Sequence, residues 1–211
     1  EMEEIHRIAR EHGLAVIEDA AHALGAEYKG QKIGSLSSDM TAFSFHPVKP
    51  ITTGEGGMVV TDDAELYERL CLFRSHGITR AESLMGQNEG GWYYEQLELG
   101  YNYRMTDIQA ALGSSQLARL DAFIQRRRYL AGRYTEAFAG IPGLACPEQL
   151  PHAASGWHLY VLRFLEQERG QAFARLREAG IGANVHYIPV YRHPYYRKHG
   201  YHDTSCPHAE Q

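Results

Sequence analysis

Cysteine is scarce and scattered: Cys71, Cys146 and Cys206 are odd in number, far apart and free of CxxC spacing. That pattern builds neither a disulfide framework nor a zinc ribbon, and it fits a reducing cytoplasm. Long apolar runs are missing as well. The 211 residues are 44% hydrophobic, enough to bury a core, yet no stretch is long enough to span a bilayer. Positive charge is not in excess, since 21 Lys and Arg stand against 26 Asp and Glu for a formal charge of −5. A nucleic-acid partner is therefore not expected. The 12 histidines show no HExxH spacing and no matching cysteine, so no metal is implied. There is no internal repeat or low-complexity segment, and the first residues carry no basic start followed by an apolar core, so no signal peptide is expected there.

Hydrophobic spacing supplies the framework. Met2, Ile5, Ile8 and Ala9 predict a helix over residues 2–12 that stops at Gly13. Leu14–Ile17 reads as a strand buried on both faces of a parallel sheet, delivering Glu18 and Asp19 at its carboxyl end. Residues 25–38 suggest a loop or short hairpin, Met40–Phe45 a strand, and Met58–Thr61 another. Asp62-Asp63 then caps a helix carrying Leu66, Leu70 and Phe73 that stops near Gly77. Residues 78–98 read as a long loop. Thr106 or Asp107 caps a helical region reaching about Phe138, Ile141-Pro142-Gly143 breaks it, and a strand over Leu159–Phe164 precedes a helix ending at Gly180. The fold class is α/β, with one portion over 1–119 and a smaller one over 120–211.

One stretch carries chemistry. Lys49 lies between Pro47 and Pro50 and ahead of Gly54, Gly56 and Gly57, stiff on one side and free to approach a ligand on the other. Most lysines in Pro/Gly turns are solvated and inert. A lysine in a closed, partly desolvated loop, however, loses its proton more easily and condenses with an aldehyde such as pyridoxal phosphate. That cofactor needs a carboxylate to keep its ring nitrogen protonated, and Asp19 is the candidate, the alternative being a polar strand end. The Gly54–Gly57 run is no P-loop, because no Gly-Lys-Ser/Thr follows it.

The segment from Ile17 to Asp63, IEDAAHALGAEYKGQKIGSLSSDMTAFSFHPVKPITTGEGGMVVTDD, resembles the sugar-nucleotide aminotransferases of DegT type, in the fold-type I pyridoxal phosphate superfamily. GYNYRMTDIQAALGSSQL, from Gly100, is similar to the same family. Within it, HPVKPITT looks most like enzymes that aminate C4 of a UDP-linked 4-keto-6-deoxy-N-acetylhexose on the way to pseudaminic acid. The family's proteins are longer at both ends, so an internal fragment, by itself inactive and prone to aggregate, is expected. The resemblance implies part of a fold-type I large domain, with a mostly parallel sheet, joined to part of a smaller α+β domain.

It further implies that Lys49 bonds the cofactor and shuttles protons, that Asp19 pairs with the pyridinium, and that Ala21 lies against the ring. His22 stands beside the phenolic oxygen or is a satisfied core histidine. Ser44 binds phosphate, and Asn102 reaches the phosphate from the other subunit of a homodimer or closes an Asx turn. His186 and Tyr187 line the substrate entrance or simply pack at a strand end. L-glutamate is the implied donor. A different keto sugar nucleotide, aminated at C3 or C4, and a non-catalytic binding remnant are the competing readings. Lys49 favours transamination, because the family branch that dehydrates sugars has histidine there.

Overall fold

Gly13 ends the first helix as its sequence requires. Helix α1 (Met2–His12) stops where Gly13 turns left-handed at φ 63, and the N–H groups of Gly13 and Leu14 close its last turn on the carbonyls of Arg10 and Ala9. Its inner face buries Ala9 and His6, whose Nε2 meets Ser38 Oγ at 2.7 Å. The computed structural model describes residues 1–166 and 168–210. They form two units, Glu1–Ala139 with Pro147–Val161, and Gly140–Cys146 with Leu162–Gln211.

In the first unit, β1 (Ile17–Asp19) leads through the hairpin of β2 (Glu27–Tyr28) and β3 (Gln31–Lys32) to β4 (Met40–Ser44), which returns antiparallel as β5 (Gly57–Val60). The sheet order is β1-β4-β5, with β1 and β4 parallel. The first strand differs from expectation in two ways. Pairing starts at Ile17 rather than Leu14, because the Asp39 carboxylate takes the Val16 N–H at 2.6 Å and the Val16 carbonyl takes the N–H of Asp39 at 3.0 Å. Nor is the apolar run buried on both faces. Leu14 is 62% and Ile17 63% exposed, since β1 is an edge strand and no described element covers it.

Asp63 caps α2 (Ala64–Phe73) by accepting the Leu66 N–H. The helix ends at Phe73, short of Gly77, and the chain then pairs as β6 (Ile78–Thr79) with β7 (Glu95–Gln96), subdividing the expected long loop. The helical region after Thr106 is two helices, α3 (Asp107–Leu117) and α4 (Leu120–Phe138), because the Arg119 N–H turns back tightly onto Gln116 O and Arg119 leaves helical geometry at ψ 0. Thr106 and Gln109 close a reciprocal capping box on α3. Helix α4 buries Ile124 and Ala131. Its Arg128 guanidinium donates to the carbonyls of Ser155, Ala154 and Gly25 at 3.1 to 3.4 Å, while Arg127 holds those of Trp157 and His158.

In the second unit Leu144–Ala145 pairs antiparallel with Arg163–Phe164, and a helix over Arg169–Glu178 ends before Gly180 at φ 78. The strand expected over Leu159–Phe164 is confined to its last two residues, the only ones of that run that pair with Leu144–Ala145 among the described residues.

Candidate active site

Strand register puts two of the expected residues on one surface. Asp19 pairs with Ala42 across the parallel β1–β4 ladder, and Ser44 lies two residues further along β4. Side chains alternate between faces, so Asp19, Ala42 and Ser44 share one face at the carboxyl end of adjacent parallel strands. Adjacent strands lie about 4.8 Å apart and two residues advance about 7 Å, so both groups can reach a single small ligand. Carboxyl ends of parallel strands are where open α/β sheets bind ligands. The exposed Asp19 is oriented by the Ala21 N–H, which donates to Oδ1 at 3.1 Å, and the next residue, Ala20, is buried at 2% with its N–H on Ala42 O. Beside Ser44 the partner residue is Gly57, where a Cβ would stand 2.8 Å from Phe43 O. That glycine keeps the surface next to the serine open.

Lys49 occupies the connection that leaves β4. Phe45 donates to Gly56 O, and Thr53 N–H and Thr52 Oγ1 both return to Phe45 O at 3.0 Å, which closes the base of the loop. Ile51 and Thr53, each 3% exposed, anchor it, while His46, Pro47 and Val48 stay outside. Between these halves the Lys49 N–H donates to His46 O at 2.9 Å. The half-buried Lys49 ammonium has no ion pair or hydrogen bond among the described residues. An amine so placed is open to an incoming carbonyl or phosphate group.

The remaining expected residues divide. Ala21 and His22 follow Asp19 directly, and the His22 ring meets His158 edge to face at 4.4 Å. Asn102 forms a bridge with Ser75 and is exposed; its contacts tie it to the end of α2. His186 and Tyr187 lie in the second unit, exposed, with ring centroids 4.3 Å apart. Among the described residues, an open cavity of about 520 Å³ beside Leu144 and Phe164 and another of about 650 Å³ beside Arg128 and Trp157 are lined by none of these expected ones. Sequence reading missed Gln109 and Gln116 on α3, which bond the lysine loop. The signal was a polar pair seven residues apart with Gly113 between them, on a face where apolar residues would otherwise pack.

A model of the DegT/DnrJ/EryC1/StrS aminotransferase family matches residues 1–211. The chain is 45% identical to the spore coat polysaccharide biosynthesis protein SpsC of Bacillus subtilis, over 99% of its own length and 55% of that protein. It is 41% identical to a UDP-4-amino-4,6-dideoxy-N-acetyl-beta-L-altrosamine transaminase of Campylobacter jejuni, over 94% and 51%. Among solved structures it superposes on Helicobacter pylori PseC, an aminotransferase involved in the biosynthesis of pseudoaminic acid, with a TM-score of 0.89 and 34% identity, covering 100% of this chain and 55% of that one. A putative sugar aminotransferase of Streptococcus pneumoniae, solved in its PLP form, gives a TM-score of 0.79 and 36% identity over 89% and 47%. The chain thus spans about half the length of the relatives it matches.

Proposed function

The chain belongs to the DegT/DnrJ/EryC1/StrS aminotransferase family, and from that premise we propose that the protein binds pyridoxal phosphate through Lys49 and aminates a keto sugar nucleotide. The observation that carries this reading is the shared sheet face of Asp19 and Ser44, with a lysine that has no partner among the described residues on the loop that leaves the same strand. The fold class agrees: part of a fold-type I large unit, followed by part of a smaller α+β unit.

The donor set fits the cofactor. A carboxylate, a hydroxyl and a half-buried amine are the groups that a pyridinium, a phosphate and an aldehyde respectively require. Pyridoxal phosphate, when bound, supplies the aldehyde that accepts the amino group and the ring that withdraws electrons from it. Asp19 would hold a proton on the ring nitrogen. Ser44 would donate to a phosphate oxygen, Ala21 would bound the ring face, and His22 would stand at the phenolic oxygen. Asn102 would reach the phosphate from the second subunit of a homodimer. Lys49 would hold the cofactor covalently and, once freed by the amino donor, would take the proton from the donor's Cα. His186 and Tyr187 would border the substrate entrance.

Within this reading, L-glutamate serves as donor and the acceptor is C4 of a UDP-linked 4-keto-6-deoxy-N-acetylhexose in the pseudaminic acid pathway. The C. jejuni and H. pylori relatives support that choice. The 45% identity to SpsC favours a second reading, amination of another keto sugar nucleotide. Both place the enzyme in the cytoplasm. No described helix is long and apolar enough to cross a membrane. Borohydride reduction of the full-length protein with pyridoxal phosphate, followed by peptide mapping, tests the nucleophile: label on Lys49 is expected, and label on another lysine overturns the assignment. Assay of 2-oxoglutarate release against a panel of UDP-linked and dTDP-linked keto sugars separates the two substrate readings.

A further inference from the structure

Helix α3 touches the lysine loop at three points of one face. Gln116 Oε1 accepts the Thr52 N–H at 3.1 Å, Gln109 Nε2 donates to Glu55 O at 3.0 Å, and a Cβ on Gly113 would stand 2.8 Å from Thr53 Cγ2. Positions 109, 113 and 116 are spaced i, i+4 and i+7, one stripe of a helix. We infer that Gln109 and Gln116 are positioning residues for Lys49, a role that rests on the reading of Lys49 as the cofactor lysine.

The loop needs such an external hold. Apart from the Lys49 N–H to His46 O bond within the turn, the loop's own hydrogen bonds gather at its base, joining Phe45 to Thr52, Thr53 and Gly56, and Thr53 Oγ1 to Glu55 O. Thr52 is bonded on both sides: its hydroxyl donates to Phe45 O and accepts the Gly54 N–H at 2.9 Å, while its part-buried backbone N–H is satisfied, among the described residues, by Gln116. Lys49 lies three residues before Thr52, with the buried Pro50 and Ile51 between, so a shift at Thr52 is transmitted through a stiff segment.

The two glutamines are used differently. Gln116 contributes only its oxygen. Gln109 contributes both ends, because its Oε1 also accepts from the Thr106 N–H and hydroxyl at 3.0 Å. A carboxylate can therefore replace the amide at 116 but not at 109, where the donor to Glu55 O would be lost.

The test uses full-length protein. In its cofactor-free form, amide exchange at Thr52 and the pH profile of Lys49 acetylation by acetic anhydride are compared for wild type, Gln116→Met, Gln116→Glu and Gln109→Glu. With Gln116→Met the Thr52 amide is expected to exchange at least tenfold faster and Lys49 acetylation to change at least threefold at fixed pH. Gln116→Glu should retain Thr52 protection, and Gln109→Glu should behave like Gln116→Met at Lys49. In the loaded enzyme Gln116→Met should lower kcat with little change in KM. Unchanged Thr52 exchange and Lys49 acetylation in Gln116→Met overturn the inference, as does equal loss in Gln116→Glu; if Gln116→Met does not fold, Gln109→Glu decides by the same readouts. Absence of borohydride label on wild-type Lys49 would instead overturn the reading of the lysine itself, whatever the glutamine variants do.

Discussion

The backbones of Gly77 and Gly100 cross with no room for a side chain on either: a Cβ on Gly100 would stand 2.2 Å from Gly77 N, and one on Gly77 would stand 1.9 Å from Glu98 O. Gly77 is also left-handed at φ 69. This crossing fixes the Ser75–Asn102 bridge and hence the position of Asn102. Gly100→Ala is expected to destabilise by about 2 kcal/mol or more, since backbone atoms cannot yield as a flexible side chain can. Urea unfolding of the full-length protein checks it; a midpoint equal to wild type would contradict the crossing.

Asp19→Asn should keep pyridoxal phosphate binding within about tenfold while lowering kcat by roughly two orders of magnitude, the usual scale for a lost proton-holding group. The amide preserves shape but not charge. Cofactor titration by absorbance alongside steady-state kinetics separates the two effects, and unchanged kcat would remove Asp19 from the mechanism.

Glu95 gathers the loop between β6 and β7. Its carboxylate accepts the Gly86 N–H at 2.7 Å, the Gln87 N–H at 3.1 Å and the Tyr93 hydroxyl at 3.2 Å, and these bonds, the Gly86 one foremost, hold it below the usual carboxylate range. A depressed folded-state value means that the stabilisation is complete above the unfolded glutamate value, roughly 4.3, and is lost as pH falls through the folded one. Gly86 and Gln87 amide resonances should shift together once the pH is lowered below the unfolded glutamate range. In Glu95→Gln the same titration should be flat.

Arg128 binds three carbonyls from two separate segments, and Glu27 Oε1 lies 3.7 Å from its guanidinium. Arg128→Met should cost about 2 kcal/mol, because part-buried carbonyls lose a charged donor. Arg126, exposed and stacked over Tyr129, is the control: Arg126→Met should lie within about 0.5 kcal/mol of wild type. Thermal unfolding of the pair decides whether the three carbonyl contacts carry the difference.

Local signals in the sequence were enough for much of this architecture. Gly13, Asp63 and Thr106 each sit at a helix end because a left-handed residue or a short side-chain acceptor is what that end requires, and such signals need only a few neighbouring residues. The strand positions of Asp19 and Ser44 were legible in the same way; their common face was not, since it depends on the Ile17–Met40 register, which is set by Asp39 reaching back across the loop. The break between α3 and α4 escaped because Ala118 and Arg119 are good helix formers overruled by a tight turn. Gln109 and Gln116 carry only the weak signal of a polar pair spaced around Gly113, and that spacing does not name the partner, a loop more than fifty residues upstream.

Ser44 and Gly57 face one another across the β4–β5 ladder, so residues 45–56 begin and end at adjacent points that the sheet holds regardless of what lies between. Within that span residues 50–55 are tied to the fold by burial and by α3, so the exchangeable part is the exposed turn ahead of the lysine. The turn at the exposed Pro47 and Val48 can be lengthened or recoded while the strands and the α3 face stay as they are. New chemistry on this scaffold can arise from a few codons at one hairpin, and a library randomised over His46–Val48 with the base residues held constant is where directed evolution of altered activity should start.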